Sequence, residues 1–206
     1  SGVSRRDVVI QCAVGLYDEH GTELSHYAEY WQLAPGVEVN PRAQEVHHIT
    51  PETLETRGLE PTREIAAVAK LLAGLEARNV PIVAHNASFD ARLLSQTAAA
   101  WGVPWNDTSF FCTMKAALPH VGLLNKSGRP KMPSNAECYR FLFDRDPDNI
   151  DRAHDALMCA THARTRAHVY PLSFSSARAT QRCDDHEPHL PRWASASVVV
   201  TRFPFF

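Results

Sequence analysis

The sequence predicts one mixed α/β domain, and three observations carry that prediction. Alternate positions from Val8 to Leu16 are apolar, which is the pattern of a strand. Residues 80–84 form a continuous apolar run, as expected for a strand that is covered on both faces. Between these strands, apolar residues recur at helical spacing over residues 62–78. Strands and helices in this order favour a mixed sheet flanked by helices.

The elements follow one another along the chain. A turn at residues 18–21 joins the first strand to a second strand at about residues 24–33, so the two form a hairpin. Pro41 and Pro51 each begin a short helical turn, because proline suits the first position of a helix. A basic loop rich in Gly and Pro occupies residues 125–134. The other predicted elements are helices at 62–78, 88–101, 135–143 and 152–169 and strands at 80–84 and 109–112.

Beyond residue 171 the character of the chain changes. Ser, Arg, His and Pro crowd residues 173–196 without an apolar period, and such a segment has too little apolar surface to offset the entropy of ordering it. We therefore expect a domain at residues 1–170 followed by an irregular tail at residues 171–206.

Composition excludes some classes of protein. A formal net charge of −2 over 206 residues argues against a protein that coats nucleic acid by bulk electrostatics, although it permits a local basic groove. The five cysteines are odd in number and widely spaced, which indicates a reducing, cytoplasmic location. No apolar run approaches membrane-spanning length.

Four separated motifs occur in a characteristic order: EVHHIT, IVAHNASFD, FFCTMK and AHDAL. On these motifs, residues 1–170 resemble the DEDDh 3′→5′ exonucleases, and among them exodeoxyribonuclease X and the proofreading (epsilon) subunit of bacterial polymerase III. The resemblance implies a ribonuclease H-like fold: a mixed sheet flanked by helices.

The resemblance also implies an activity. Enzymes of this family hydrolyse phosphodiester bonds at the 3′ ends of single-stranded DNA or RNA, with two Mg²⁺ or Mn²⁺ ions bound by carboxylates. Asp90 matches a metal-binding acid of the second motif, and His154 matches the general base that deprotonates the attacking water. His47, Asn86 and Phe89 match positions that shape the pocket of the terminal nucleotide, where an aromatic ring stacks on a base.

Ordinary structural roles are open for the same residues. An Asp near a helix start is commonly a cap or a partner of the helix dipole, and a single His such as His154 is commonly a satisfied imidazole. The basic side chains of Lys126, Arg129 and Lys131 are more commonly solvated than bound to phosphate.

Two departures from the family pattern lower the expected activity. The first family motif, Asp-x-Glu-Thr, ends a buried strand, but this chain opens with SGVSRRDVVIQ, so the Asp and Glu are expected upstream of Ser1. In the third motif, the position of the acid is taken by Cys159, whose soft thiol is a poor ligand for Mg²⁺. Asp155 would substitute only if it faced the site. Three of four carboxylates are thus expected to be missing, and the chain to be inactive or severely impaired.

The missing motif also removes a strand. In the family this strand is central, so its loss would leave buried backbone groups of both neighbouring strands without partners. One other β-prone run, at residues 197–203, is a candidate to take its place.

Two function classes follow. The first is an exonuclease-family protein, present here in truncated form, that acts on single-stranded 3′ ends. The alternative is a non-catalytic nucleic-acid-binding or interaction module that retains the fold. A zinc site built from Cys183, His186 and His189 is a third hypothesis, and it would need a fourth ligand.

Overall fold

The computed structural model of the chain describes residues 7–18, 22–34, 36–146 and 197–201. Five strands form one sheet in the order β2-β1-β5-β3-β4. The strands are β1 (Gln11–Tyr17), β2 (Glu23–Tyr30), β3 (Ile82–Ala84), β4 (Phe110–Cys112) and β5 (Ser197–Thr201). The helices are α1 (Pro41–His47), α2 (Pro51–Arg57), α3 (Pro61–Ala77), α4 (Ala87–Ala100), α5 (Thr113–Val121) and α6 (Asn135–Phe143).

Prolines and caps fix where the first three helices begin. Each of α1, α2 and α3 has Pro in its first turn, where a missing N–H costs nothing. The side chains of Asn40, Thr50 and Glu60 accept hydrogen bonds from the free N–H groups of these turns. The predicted helical turns at Pro41 and Pro51 are therefore confirmed.

The main core lies between the sheet and helices α3 and α4. The apolar face predicted for α3 is buried, with Ile65 and Leu72 fully inaccessible. These side chains pack with Cys12 and Val14 of β1 and with Ile82 of β3. A second, smaller core joins Ile10, Val39, Ile49 and Leu54, beside the hairpin.

A chain of two hydrogen bonds between side chains connects Trp31, through Tyr27 of the hairpin, to α3. The indole Nε1 of Trp31 donates to the Tyr27 hydroxyl at 2.6 Å, and that hydroxyl donates to Glu64 Oε2 at 2.7 Å. Burial and the bond to Glu64 raise the pKa of Tyr27, so the phenol stays protonated and remains a donor.

Strand β5 occupies the centre of the sheet. Residues 197–201 pair antiparallel with residues 13–17 of β1, and residues 198–199 pair parallel with residues 82–83 of β3. The sequence made residues 197–203 a candidate for a strand in the centre of the sheet, and residues 197–201 form such a strand. The tail expected to be irregular from 171 to 206 therefore contains one strand, while residues 173–196 lie outside the described part of the chain.

The structure corrects the boundaries of several predicted strands and adds helix α5 to the predicted elements. Strand β1 begins at Gln11 rather than at Val8, and β2 ends at Tyr30 rather than at residue 33. Helix α5 was not predicted, because Pro119 lies inside it and proline usually interrupts a helix. The helix predicted at 152–169 and the domain boundary near 170 lie outside the described residues. Among the described helices, none combines the length and apolar composition needed to cross a membrane.

Hydrogen exchange tests the position of β5 directly. Amides of a central strand exchange slowly because both neighbours protect them. We expect residues 198–200 to exchange at rates comparable to those of β1 residues 13–16. Exchange as fast as in an unfolded peptide at 198–200, with β1 still protected, would contradict the sheet order.

Candidate active site

Asp90 lies at the carboxyl end of β3, in the first turn of α4. The chain leaves β3 at Ala84, turns through Asn86, and enters α4 at Ala87. Asn86 makes this turn tight by adopting a left-handed backbone, with φ of 67° and ψ of 46°, a conformation that Asn tolerates better than most residues. The Asp90 side chain is fully buried, with 0% of its surface exposed.

The capping role does not fit Asp90. The N-cap position of α4 is Asn86, four residues earlier. A carboxylate that served only the helix dipole would gain about 0.3–1 kcal/mol on the surface without losing its hydration. Complete burial costs stability unless other groups compensate it, so the position of Asp90 is unusual for a structural carboxylate.

The Asp90 carboxylate acts electrostatically on Cys12 of β1. Burial raises the pKa of the Cys12 thiol well above its ordinary value, and the negative charges of Asp90 and then Glu64 raise it further. Cys12 therefore remains a neutral thiol at neutral pH, and a neutral thiol is a poor metal ligand. The three side chains form an acidic region at the border of the main core.

Phe89 and Asn86 share the turn that holds Asp90. The Phe89 N–H donates to the Asn86 carbonyl oxygen at 2.8 Å, which closes the first turn of the helix. The Phe89 ring is half-buried and packs against the main core. The structure therefore brings Asn86, Phe89 and Asp90 together in one turn.

His47 lies at the end of α1 and is held within its own turn. Its Nδ1 accepts the N–H of Ile49 at 2.9 Å. Because Nδ1 is an acceptor, the proton of the neutral ring resides on Nε2. His154, Asp155 and Cys159 lie outside the described residues, as do Cys183, His186 and His189, so the predicted roles of all six stay predictions.

His85 is a residue whose structural importance sequence reasoning missed. Its ring is buried, with Nδ1 3.1 Å from the Thr113 hydroxyl and Nε2 3.1 Å from the Pro133 carbonyl oxygen. A carbonyl oxygen only accepts, so Nε2 donates. The ring thereby joins the end of β3 to the start of α5 and to the loop before α6. The sequence feature that could have indicated this role is its position directly after the continuous apolar run of β3.

The described residues do not fit a pair of magnesium ions. Two-metal sites need several hard oxygen ligands close together. Within residues 7–18, 22–34, 36–146 and 197–201, no group of three or more His, Cys, Asp or Glu side chains could hold a metal ion. The acidic residue Asp90 has the protonated Cys12 thiol near it, and that thiol is the wrong partner for Mg²⁺.

The basic loop is an ordered turn. Asn125 Oδ1 accepts hydrogen bonds from the backbone N–H groups of Ser127 and Arg129, at 2.9 Å and 3.0 Å. Lys131 forms an ion pair with Glu137, which also closes the capping box of α6 with Ser134. One of the three cations in the loop is therefore engaged in holding the loop to α6.

Comparison with solved structures identifies the fold. The nuclease domain of 3′hExo, described as a DEDDh family member bound to rAMP, superposes with a TM-score of 0.54 and 8% identity, over 87% of this chain and 86% of that domain. An apo structure of exonuclease I gives a TM-score of 0.57 with 19% identity over 82% of this chain. Exonuclease I from Methylocaldum szegediense gives 0.53 with 20% identity over 84% of this chain.

These likenesses differ in how much of the other protein they cover. The chain spans 39% of the first exonuclease I and 40% of the second. No family model matches the sequence, and no curated protein matches it. The structural likeness confirms the predicted fold class: this chain has the ribonuclease H-like fold of these exonucleases.

Replacing His85 should destabilise the fold. His85→Ala removes two buried hydrogen bonds and leaves a cavity, and we expect the free energy of unfolding to fall by about 2–4 kcal/mol. Urea denaturation measures the loss. The exposed His26 provides a matched control, since His26→Ala removes a surface pair with Glu23 and should cost less than about 1 kcal/mol. Equal losses in the two variants would refute the bridging role.

Glu137 should stabilise α6 in a pH-dependent way. Lys131, followed by the Ser134 N–H, lowers the pKa of Glu137 below its ordinary value. Its stabilisation is therefore complete above the unfolded-state pKa of about 4.3 and is lost as pH falls through the lower folded-state value. Glu137→Ala should cost about 1 kcal/mol at pH 7, as for other lost caps.

The matched variant for that experiment is Glu137→Gln, which keeps a side chain able to bond the Ser134 N–H but does not titrate. The stability difference between wild type and Glu137→Gln should shrink below about pH 4. A difference that stays constant from pH 7 to pH 3 would show that the charge of Glu137 does not contribute.

Proposed function

We propose that this chain is a DEDDh-type exonuclease-family protein that binds single-stranded 3′ ends and whose hydrolytic activity is lost or severely impaired. One arrangement carries the proposal: a buried carboxylate at the carboxyl end of β3 stands next to a central strand that supplies no acid. Asp90 has 0% of its surface exposed, and the sequence from 197 to 206 contains neither Asp nor Glu.

The burial of Asp90 supports descent from a catalytic site. A hydrophobic residue would pack there at lower cost, since a buried carboxylate loses its hydration. Acids in such positions are concentrated at functional sites, where position matters more than stability. In the family that the sequence resembles, this position holds a metal ligand, and we propose that origin for Asp90.

The composition of the site supports the loss of hydrolysis. In the proposed site, Asp90 is the retained acid, His154 is the retained base, and Cys159 stands where the family has a carboxylate. Paired Mg²⁺ or Mn²⁺ ions would supply charge stabilisation at the scissile phosphate, but this set of ligands is too small and too soft to hold them. We therefore propose no metal-dependent step for this chain.

The substrate class follows from the walls of the proposed pocket. Phe89 presents a half-buried ring beside Asp90, and rings in such positions stack on bases without reading their sequence. His47 and Asn86 complete the proposed pocket. The related fold of 3′hExo holds rAMP, a ribonucleotide, so both RNA and DNA ends belong in any test.

A non-catalytic binding or interaction module is the second candidate. The observation that favours it is β5, which restores the continuity of the sheet without restoring a carboxylate. A protein that binds nucleic acid or another partner without cleaving it needs a continuous sheet but no additional carboxylate. Cleavage and binding assays on the same preparation separate the two functions.

Cleavage should be absent. With 5′-labelled single strands of DNA or RNA and Mg²⁺ or Mn²⁺ in the buffer, we expect no shortening above that of a His154→Ala control, because paired-metal catalysis fails without both ions. Denaturing gels measure the products. Progressive 3′→5′ shortening that Asp90→Asn abolishes would overturn the proposed loss of activity.

Binding should depend on Phe89. Loss of one base-stacking ring costs about 1–3 kcal/mol, so Phe89→Leu should weaken binding of a single-stranded 3′ end by about 5–150-fold in a fluorescence anisotropy titration. Leucine keeps the contact with the main core. Phe141→Leu is the control, because Phe141 is 50% exposed on α6 and lies outside the proposed pocket. Equal affinities for the Phe89 and Phe141 variants would remove the pocket assignment.

A further inference from the structure

The boundary between β1 and β3 is a slot for one extended segment, and in this chain β5 fills it. On its far side, β1 is paired with β2 over seven positions from Gln11 to Tyr17. On its far side, β3 is paired with β4 over all three of its residues. Each half of the sheet therefore has a partner that does not depend on β5, and the slot is defined by two edges that face one another.

The edges of β1 and β3 determine the direction of a strand that binds between them. A segment in the slot runs antiparallel to β1 and parallel to β3, as β5 does. Residue 199 is the centre of this double pairing, opposite Gly15 on one side and Val83 on the other. Backbone groups make the hydrogen bonds between the strands. The slot therefore selects a segment by its direction and extended shape rather than by a precise sequence.

The chemistry of the edges fixes the composition of the segment. Ile82, Val83 and Ala84 of β3 are all buried, with exposures of 2%, 0% and 0%. On the other side, Cys12, Ala13 and Val14 are equally inaccessible. A strand between such neighbours is enclosed, so it must be apolar, without Pro, and rich in β-branched residues. The three central residues of β5, Val198 to Val200, meet each of these conditions.

We propose that the slot between β1 and β3 is a binding site for an extended β-branched peptide, which β5 occupies as an exchangeable strand. Residues 144–196 lie between the end of α6 and the start of β5, so β5 is a ligand that is covalently joined to its own site. A covalently joined ligand binds intramolecularly and therefore has an advantage over a free peptide. A free peptide of the same composition competes with it when β5 is weakened.

The test weakens β5 inside the full chain. Val199→Pro removes a ladder N–H at the position that pairs on both sides, and proline is excluded from central strands. A fluorescein-labelled peptide with the sequence of residues 195–202 is the probe, and its anisotropy reports binding. We expect at least ~10-fold tighter binding to Val199→Pro than to the wild type, since the tethered competitor is removed.

Two controls make the result specific. A peptide that carries Pro in place of Val199 should not bind the variant chain. In the variant chain, the unmodified peptide should restore slow hydrogen exchange to residues 13–17 and 82–83, the two edges of the slot. Binding that is equal for both peptides, or that leaves the exchange of both edges unchanged, would overturn the proposal.

A second variant keeps the test independent of the folding of Val199→Pro. Leu16 and Val198 are direct partners in the register, and directly opposed strand residues lie within disulfide range. Leu16→Cys with Val198→Cys, oxidised and verified by the mass of the linked fragments, locks β5 in the slot. Free peptide in large excess over the protein should bind the reduced double variant, in which β5 can leave the slot, and not the oxidised one. Equal binding to both forms would show that the peptide binds elsewhere.

Discussion

The backbone groups of two strand edges set the condition that this fold must satisfy. Strands β1 and β3 are enclosed by helices and by the rest of the sheet, so their N–H and C=O groups have no access to water and need protein partners. The segment that supplies those partners comes from residues 197–201, far from both strands in the sequence. Without it the sheet would be two ribbons of two strands each, joined only through the core that both share with α3 and α4.

In the proposed site, the residues that maintain the fold differ from those that would bind a metal. The turn at Asn86, the bridge made by His85 and the burial of Asp90 keep the geometry of the edge where β3 ends. None of these features requires a metal. The groups that would hold a metal are a different set, and in the described residues the neighbour of Asp90 is a protonated thiol. The geometry of a fold and its set of metal ligands are separate properties, which is why fold alone does not establish activity.

Local patterns predicted most of the elements. Helices α3, α4 and α6 were predicted within one residue of each end, because each has a clear apolar stripe or a clear cap; Ser134 and Glu137 form the capping box of α6. Strand β1 was predicted to begin too early because apolar residues continue upstream of it into the smaller core. Helix α5 was missed because it contains Pro119, and proline within a segment predicts the end of a helix.

Features that depend on distant partners could not be derived from local patterns. The role of His85 depends on Thr113 and Pro133, which follow it by 28 and 48 residues. The β propensity of residues 197–201 was visible in the sequence. Their position in the sheet, however, depends on the unpaired edges of β1 and β3, which are distant in sequence. For the candidate site, the motif IVAHNASFD pointed to Asp90 and Phe89, whereas the effect of Asp90 on Cys12 depends on how α4 and β1 share the main core.

The late position of β5 in the chain has a consequence for synthesis. Strand β4 ends at residue 112 and β5 ends at residue 201, so a ribosome adding about 5–20 residues per second needs roughly 5–20 s to pass from one to the other. During that time the first four strands are made but their shared apolar edges are uncovered. Uncovered strand edges invite association with other chains. The yield of folded protein in a cell should therefore depend on how well these edges are shielded during elongation.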